Sequence, residues 1–364
     1  NGAGGGGGMI TGGGGGGLTA GSTTSTFQDV NFAPYVEMQV GPVAGLTLTP
    51  GIRFDLFQYG NNDLRFAPSP RVNARWEPVA GTALKAAWGV YEQAPASLQL
   101  SSTFGNPSLK PERAQHFIIG AETRMLRNIT FSMNTYYNKR DSLVVSSTRV
   151  LSVTDGTPEL ERFSNEGTGR SYGLELLMRY ELTKNFYGWI AYTLSRAEEK
   201  ATTGADWKLF DYDQTHILTV VWQYRVPWRF PFRQWSRTGE LPSGWKWNTL
   251  WSIMSGDISL GGRFRLTSGN PATIYVDSYR DLDSEQYVGK EAGGESRMPT
   301  FHQLDLRVDY KIAFDSWLLG AYLDVINVYN QQNPEFLIWD YRYKEATPIS
   351  IIPLLPVVGV KAEF

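Results

Sequence analysis

The sequence predicts an all-β protein, a transmembrane antiparallel β-barrel. Three observations predict it. Apolar and polar residues alternate with a period of two in one stretch after another. No run of about 18 or more apolar residues occurs, which excludes spanning helices but not barrel strands, which are about 9–11 residues long and half polar. The connections alternate between short turns and long loops, the layout of a barrel with two unlike rims.

Composition agrees. A chain of 364 residues suffices for two soluble domains or one large barrel. A mean hydropathy of -0.30 with 41% hydrophobic residues excludes a helical membrane bundle. Trp and Tyr, 12 and 19 of them, are residues that favour the bilayer interface. A net charge of -2 argues against nucleic acid as a partner. Cysteine is absent and the three His are scattered, so neither a metal site nor a cofactor is expected.

Residues 1–26 form a Gly-rich, low-complexity segment, read as linker or as positions of unassigned identity. Residues 27–364 are read as the barrel portion. From Asn31 the period is two. Ile52, Phe54 and Leu56 alternate with Arg53 and Asp55, and Leu84, Ala86, Trp88 and Val90 with Lys85, Ala87 and Gly89. Phe131, Met133, Thr135 and Tyr137 oppose Ser132, Asn134, Tyr136 and Asn138. Tyr172, Leu174, Leu176, Met178 and Tyr180 oppose Gly173, Glu175, Leu177 and Arg179. The sharpest stretch is 303–312, with Leu304, Leu306, Val308, Tyr310 and Ile312 against Gln303, Asp305, Arg307, Asp309 and Lys311. So many charges on one face suit a water-filled lumen better than a soluble sandwich.

Short turns are read at 41–45, 80–82, 126–128 and 182–185, and long loops at 93–113, 141–165, 199–213 and 268–299. A long connection rich in Trp and Arg, 227–246, falls on the short-turn side. About 13 strands result. Counted back from a terminus in the periplasm, the first would run downwards, which implies strands before Asn31. The last strand places Val358, Val360, Ala362 and Phe364 on an apolar face and Gly359, Lys361 and Glu363 on the other. Its terminal Phe resembles the C-terminal assembly signal of bacterial outer-membrane proteins.

Seven elements, in order, resemble one family, the TonB-dependent outer-membrane receptors. They are NPSLKPER (106–113), GTGRSYGLE (167–175), YTLSR (192–196) with YDQTH (212–216), GGRFRLTSGNP (261–271), FHQLDLRVDY (301–310), DVINVYN (324–330) and the terminal GVKAEF. WDYRY at 339–343 is similar to the subfamily with a carboxypeptidase-regulatory-like front domain. The resemblance implies a plugged 22-strand barrel of which this sequence is the C-terminal part, its plug and TonB-binding box not being present here. It also implies import of a scarce ligand driven by the TonB complex through an N-terminal region outside this sequence. The implied surroundings are outer-membrane lipid, the outer-membrane assembly machinery and an extracellular ligand of unspecified identity. The alternative is a structural or secretion-associated barrel acting as partner in an envelope complex.

The expected lumen-facing residues are Arg170, Glu175, Asp305, Arg307, Asp309, Lys361 and Glu363, holding the plug and one another or lining a polar path. The expected ligand contacts from loops are Trp207, Tyr279, Trp339 and Tyr341. Trp207, Trp228, Trp235, Trp245, Trp247 and Trp339 also suit interface anchors. Two acidic loops, 277–285 and 206–213, are read as solvated rather than as Ca²⁺ sites, since neither has the ligand spacing of an EF-hand. Ser195 and His216 lack a nucleophile elbow, so no enzyme is expected.

Overall fold

The computed structural model describes residues 30–59, 63–101, 105–154, 157–227, 256–282, 285–292, 294–313, 317–350 and 352–364. The Gly-rich segment, Trp228, Trp235, Trp245, Trp247 and most of 227–246 lie outside the described residues.

One antiparallel sheet carries the architecture. β1 (Val30–Phe32), β2 (Tyr35–Glu37) and β3 (Val40–Val43) all pair with β4 (Leu46–Tyr59), as pieces of one interrupted strand. Neighbours then follow in chain order: β5 (Asp63–Val79), β6 (Thr82–Gln93), β7 (Glu112–Leu126), β8 (Ile129–Ser146), β11 (Phe163–Tyr180) and β12 (Phe186–Lys200). They continue through β14 (His216–Arg225), β15 (Asp257–Thr267), β18 (Phe301–Ala313), β19 (Leu318–Ile326) and β22 (Leu355–Glu363). Among the described residues the path from β1 to β22 therefore passes through 13 strand positions, the number the periodicity predicts.

The registers separate two faces. Arg307 lies opposite Gly261 and Asp324, Asp305 opposite Arg263, and Glu175 opposite Asn134 and Thr193, all on one polar face. The other face carries Phe131, Met133, Leu174, Leu176, Met178, Ile190, Leu218, Leu266, Leu304, Leu323, Val358 and Val360. Since side chains in a strand alternate sides, an unbroken register keeps each set together across the sheet. Val358 and Val360 are 75% and 70% exposed, so the apolar face has no protein against it there. The small buried cluster of Phe57, Tyr59, Ala67, Leu100 and Leu109 lies at one rim.

The short turns occur as predicted. Gly45 and Gly81 sit in them with φ of 77° and 82°, the left-handed region that glycine enters without a Cβ clash. A Cβ on Gly45 would stand 2.5 Å from the Glu77 carbonyl oxygen. The opposite rim differs in detail from the prediction. β8 and β11 are 18 residues each, about 60 Å if straight, so they extend well beyond a hydrocarbon layer about 30 Å thick and take up both ends of the predicted 141–165 loop. Three of the long connections hold hairpins of their own. These are β9 (Val150–Thr154) with β10 (Thr157–Leu160), β16 (Tyr275–Arg280) with β17 (Tyr287–Glu291), and β20 (Pro334–Trp339) with β21 (Ala346–Ser350). The 327–354 connection is an additional long one. The 199–213 connection holds β13 (Lys208–Leu209), an extension paired with β12.

Candidate functional site

Four of the sequence elements singled out above, NPSLKPER, YDQTH, SGNP and DVINVYN, lie at the long-connection rim, where they act as locks. Asp213, from YDQTH, is 2% exposed. Its carboxylate accepts the Ala197 N–H at 2.5 Å, the Thr215 hydroxyl at 3.3 Å and the Arg297 guanidinium at 2.6 Å. Arg297 also donates to the carbonyls of Asp213 and Gly269. A Cβ on Gly269 would lie 1.8 Å from the Met298 carbonyl oxygen, so only glycine permits this approach. Gln214 donates to Asn270 at 3.0 Å, and His216 N–H donates to Ser268 Oγ at 2.9 Å. The 199–213 and 268–299 connections are thereby stitched together. Asp213 corrects the reading of 206–213 as wholly solvated.

A second lock lies in DVINVYN. Asn327 is fully buried with φ of 55°. Its amide donates to the carbonyls of Gln331 and Ile352, and its Oδ1 accepts the Gln331 N–H. Its own N–H donates to Asp305 at 3.0 Å. Asp305 also receives Gln303 at 2.7 Å and Arg263 at 2.6 Å, which ties the 327–354 connection to the polar face. The third lock is NPSLKPER. Asn106 donates to the Phe163 carbonyl, Leu109 is 1% exposed, and Tyr59 donates to the Leu109 carbonyl at 3.1 Å.

Beside the first lock opens a cavity of about 500 Å³, lined among others by Tyr212, Gln214, Arg265, Phe301, Glu335 and Phe336. Arg265 projects from the polar face with its guanidinium 5.7 Å from the Phe301 ring centroid. The arrangement offers a forked cation, two phenyl faces and fixed amides to a molecule entering the cavity.

The profile of the TonB dependent receptor-like, beta-barrel family matches residues 3–330. The chain belongs to this family. It is therefore an outer-membrane barrel. Solved structures agree in fold. The FrpB iron transporter of Neisseria meningitidis (F3-3 variant) superposes with a TM-score of 0.61 at 15% identity over 92% of this chain and 46% of its own. P. aeruginosa FpvA bound to heterologous pyoverdines gives 0.62 at 14%, over 94% and 39%. The ferric-catecholate import receptor Fiu of E. coli gives 0.58 at 14%, over 92% and 44%. The chain spans less than half the length of these structures.

The receptor barrel distributes the predicted site residues unevenly. Asp305, Arg307, Asp309, Glu175, Lys361 and Glu363 share the polar face. There Arg307 bridges Asp309 at 2.8 Å and Asp324 at 3.5 Å, and Lys361 meets Glu363 at 2.5 Å. Arg170 departs from prediction. The register from 168 to 180 runs unbroken against β12, so Arg170 falls on the face of Tyr172 and Leu174, opposite to Glu175. Five residues of separation cannot share a face at a period of two. Trp207 is also displaced from the cavity: Arg170 and Lys200 lie over its ring at 4.2 and 5.0 Å. Trp339 stands edge-on to Tyr275 at 5.2 Å, and Tyr341 edge-on to Tyr287 at 5.9 Å, so both join hairpin β20–β21 to β16–β17. Tyr279 is 61% exposed. Ser195 donates to the Gln214 carbonyl, while His216 bonds Tyr192, so the two form no dyad. Among the described residues no cluster of His, Asp and Glu with the makings of a metal site occurs.

The turn between β20 and β21 carries a pH-dependent element. Asp340 accepts the N–H groups of Glu345 and Lys344, and the first of these, with the second, holds its carboxyl below the usual aspartate range. A group whose folded-state pKa is depressed contributes stability present above its unfolded pKa and lost as pH falls through the folded one. Amide exchange at Lys344 and Glu345 is therefore expected to accelerate, relative to neighbouring amides, once pH drops below the normal aspartate range. An Asp340→Asn variant should abolish that pH step, and a step that survived in it would remove Asp340 as its cause.

Proposed function

We propose that this chain forms the wall and outer mouth of an active importer, with its apolar face in lipid and its polar face lining the lumen. The long-connection rim is then extracellular. The cavity beside Asp213 and the start of β20 captures the ligand, and the paired charges of the lumen wall hold a plug. The TonB complex acts through an N-terminal region of the protein, and the outer-membrane assembly machinery reads the terminal strand, where Phe364 stacks on Trp317 at 5.9 Å. The observation that carries this reading is the cavity itself, a recess built by the family's own sequence elements around an exposed arginine. Ferric siderophores bearing carboxylate or catecholate groups are the first ligands to assay.

Whole cells carrying the full-length receptor, with an energised inner membrane, should accumulate one member of a radiolabelled ferric siderophore panel. Arg265→Ala should weaken its binding about 10–100-fold, the value of a hydrogen-bonded charge converted at tenfold per 1.4 kcal/mol. Uptake that persists after the inner membrane is de-energised would sink the importer. A second reading, a partner barrel in an envelope complex, draws on Val276, Tyr279, Leu282 and Ile338, which stand 64%, 61%, 83% and 53% exposed on the hairpins. Binding of a protein there, with no ligand taken up, would favour it.

A further inference from the structure

Lys139, Arg170, Arg196 and Lys200 stand on the apolar side of the wall, where lumen chemistry has no use for them. Their height follows from the register. Lys139, Arg170 and Glu198 form one cross-strand row, and Tyr137, Tyr172 and Arg196 the next row towards the short turns. Tyr137 and Tyr172 stack with centroids 6.4 Å apart. Beyond them come the apolar pairs Thr135–Leu174, Met133–Leu176 and Phe131–Met178. Tyrosines of this kind mark the level where hydrocarbon gives way to headgroups. The cationic row lies two residues further out, about 7 Å along the strand, among those headgroups.

The charges are layered. Glu198 is only 6% exposed and bridges Arg170 at 2.6 Å and Arg196 at 2.8 Å, whose side chains are 33% and 36% exposed. Asp141 is 29% exposed beneath Lys139 at 52%. The carboxylates are recessed and the cations face outwards. Glu295, half exposed, reaches Arg196 from the 268–299 connection, yet the four cations still outnumber the three carboxylates. Trp207 adds a flat ring in contact with Arg170 and Lys200. Forked guanidiniums match phosphate oxygens, and an amphipathic ring beside them suits the face of a sugar.

We propose that this outward patch binds the phosphorylated sugar headgroup of an outer-leaflet glycolipid. Arg170, Arg196 and Lys139 take phosphate oxygens, and Trp207 takes the sugar. The proposal rests on the reading that the apolar face meets lipid. It assigns to Arg170 and Trp207 a role unlike the lumen and loop roles that sequence periodicity suggested.

The test uses the full-length receptor extracted from outer membranes in mild detergent, with co-purified phosphorylated glycolipid counted per barrel by native mass spectrometry. The variant is Arg170→Gln with Arg196→Gln and Glu198→Gln, which removes both cations without leaving a buried carboxylate unpaired. Glycolipid per barrel is expected to fall about 10–100-fold while the barrel keeps its heat-modifiable migration on gels. An intact barrel with unchanged glycolipid overturns the proposal. A barrel that fails to insert into vesicles at all sinks the reading of the apolar face instead. Should the triple variant not assemble, wild-type receptor in phosphatidylcholine vesicles decides, titrated with lipid A in phosphorylated and dephosphorylated forms. Preference for the phosphorylated form supports the site, and equal binding overturns it. Displacement by millimolar inorganic phosphate also overturns it, in favour of a free-anion site.

Discussion

Replacing Asp213 with alanine is expected to release the 268–299 connection from the rim while the wall below stays assembled. The carboxylate is 2% exposed and holds three donors: Ala197 N–H, the Thr215 hydroxyl and Arg297. Alanine leaves a guanidinium, itself only 21% exposed, with two carbonyl oxygens and no countercharge. Breaking a buried ion pair from one side costs about 3–5 kcal/mol, because the surviving charge is uncompensated. That is about a hundredfold to a few thousandfold in the population of the released state. Asp213→Asn keeps an acceptor for Ala197 and loses the charge, so it should fall in between. Hydrogen exchange over residues 268–299 reads the outcome. Protection unchanged in the alanine variant would remove Asp213 from its place as anchor of the rim. Since the cavity borders this lock, ligand binding should weaken in the same order.

Asn327→Ala should have the second large effect, centred on the 327–354 connection. Three hydrogen bonds to the side chain disappear, and the partners left behind are backbone groups of Gln331 and Ile352 in a closed environment. Each such loss costs about 1 kcal/mol or more. The backbone adds its own term. At φ of 55° asparagine is tolerated and alanine pays about 1–2 kcal/mol. The sum is about 4 kcal/mol. Asn327→Gly relieves the dihedral but not the hydrogen bonds, so it should recover about 1–2 kcal/mol of the loss. Urea unfolding of the detergent-solubilised receptor, followed by hydrogen exchange at Gln331, separates the two contributions. Glycine and alanine variants of equal stability would show that the left-handed conformation carries no cost here.

How much was legible depended on how far each feature rests on local pattern. The wall was legible: 303–312 alternates without exception, and β18 pairs with β15 and β19 in registers that keep its two sets apart. The short turns were legible because Gly45 and Gly81 announce positive φ. Rim hairpins were less so, since β16, β17, β20 and β21 are only five or six residues long and pair outside the main sheet. Arg170 was grouped with Glu175 because both are charged, whereas parity puts it on the face of Tyr172, opposite to Glu175. Asp213 passed for one more acid in DWKLFDYD. Nothing local distinguishes it from Asp206 or Asp211, as its partner Arg297 lies 84 residues away. Trp339 and Tyr341 looked available for ligand only because Tyr275 and Tyr287, on the other hairpin, are distant in sequence.

By itself the sequence determined the class of the protein, the number of wall strands among the described residues and, Arg170 apart, the separation of polar from apolar residues along each strand. These follow from period-two burial, which each strand expresses without reference to its neighbours. It also displayed the family's elements in order. Only the tertiary structure decided what those elements do. NPSLKPER, YDQTH, SGNP and DVINVYN are locks between connections, and each lock joins groups tens of residues apart. It likewise decided that Arg170 meets Trp207 on the face of Tyr172 while Arg265 stands over Phe301 at the cavity. The physical reason is that a buried charge or amide is tolerable only with its partners present, and in this fold those partners arrive from different loops.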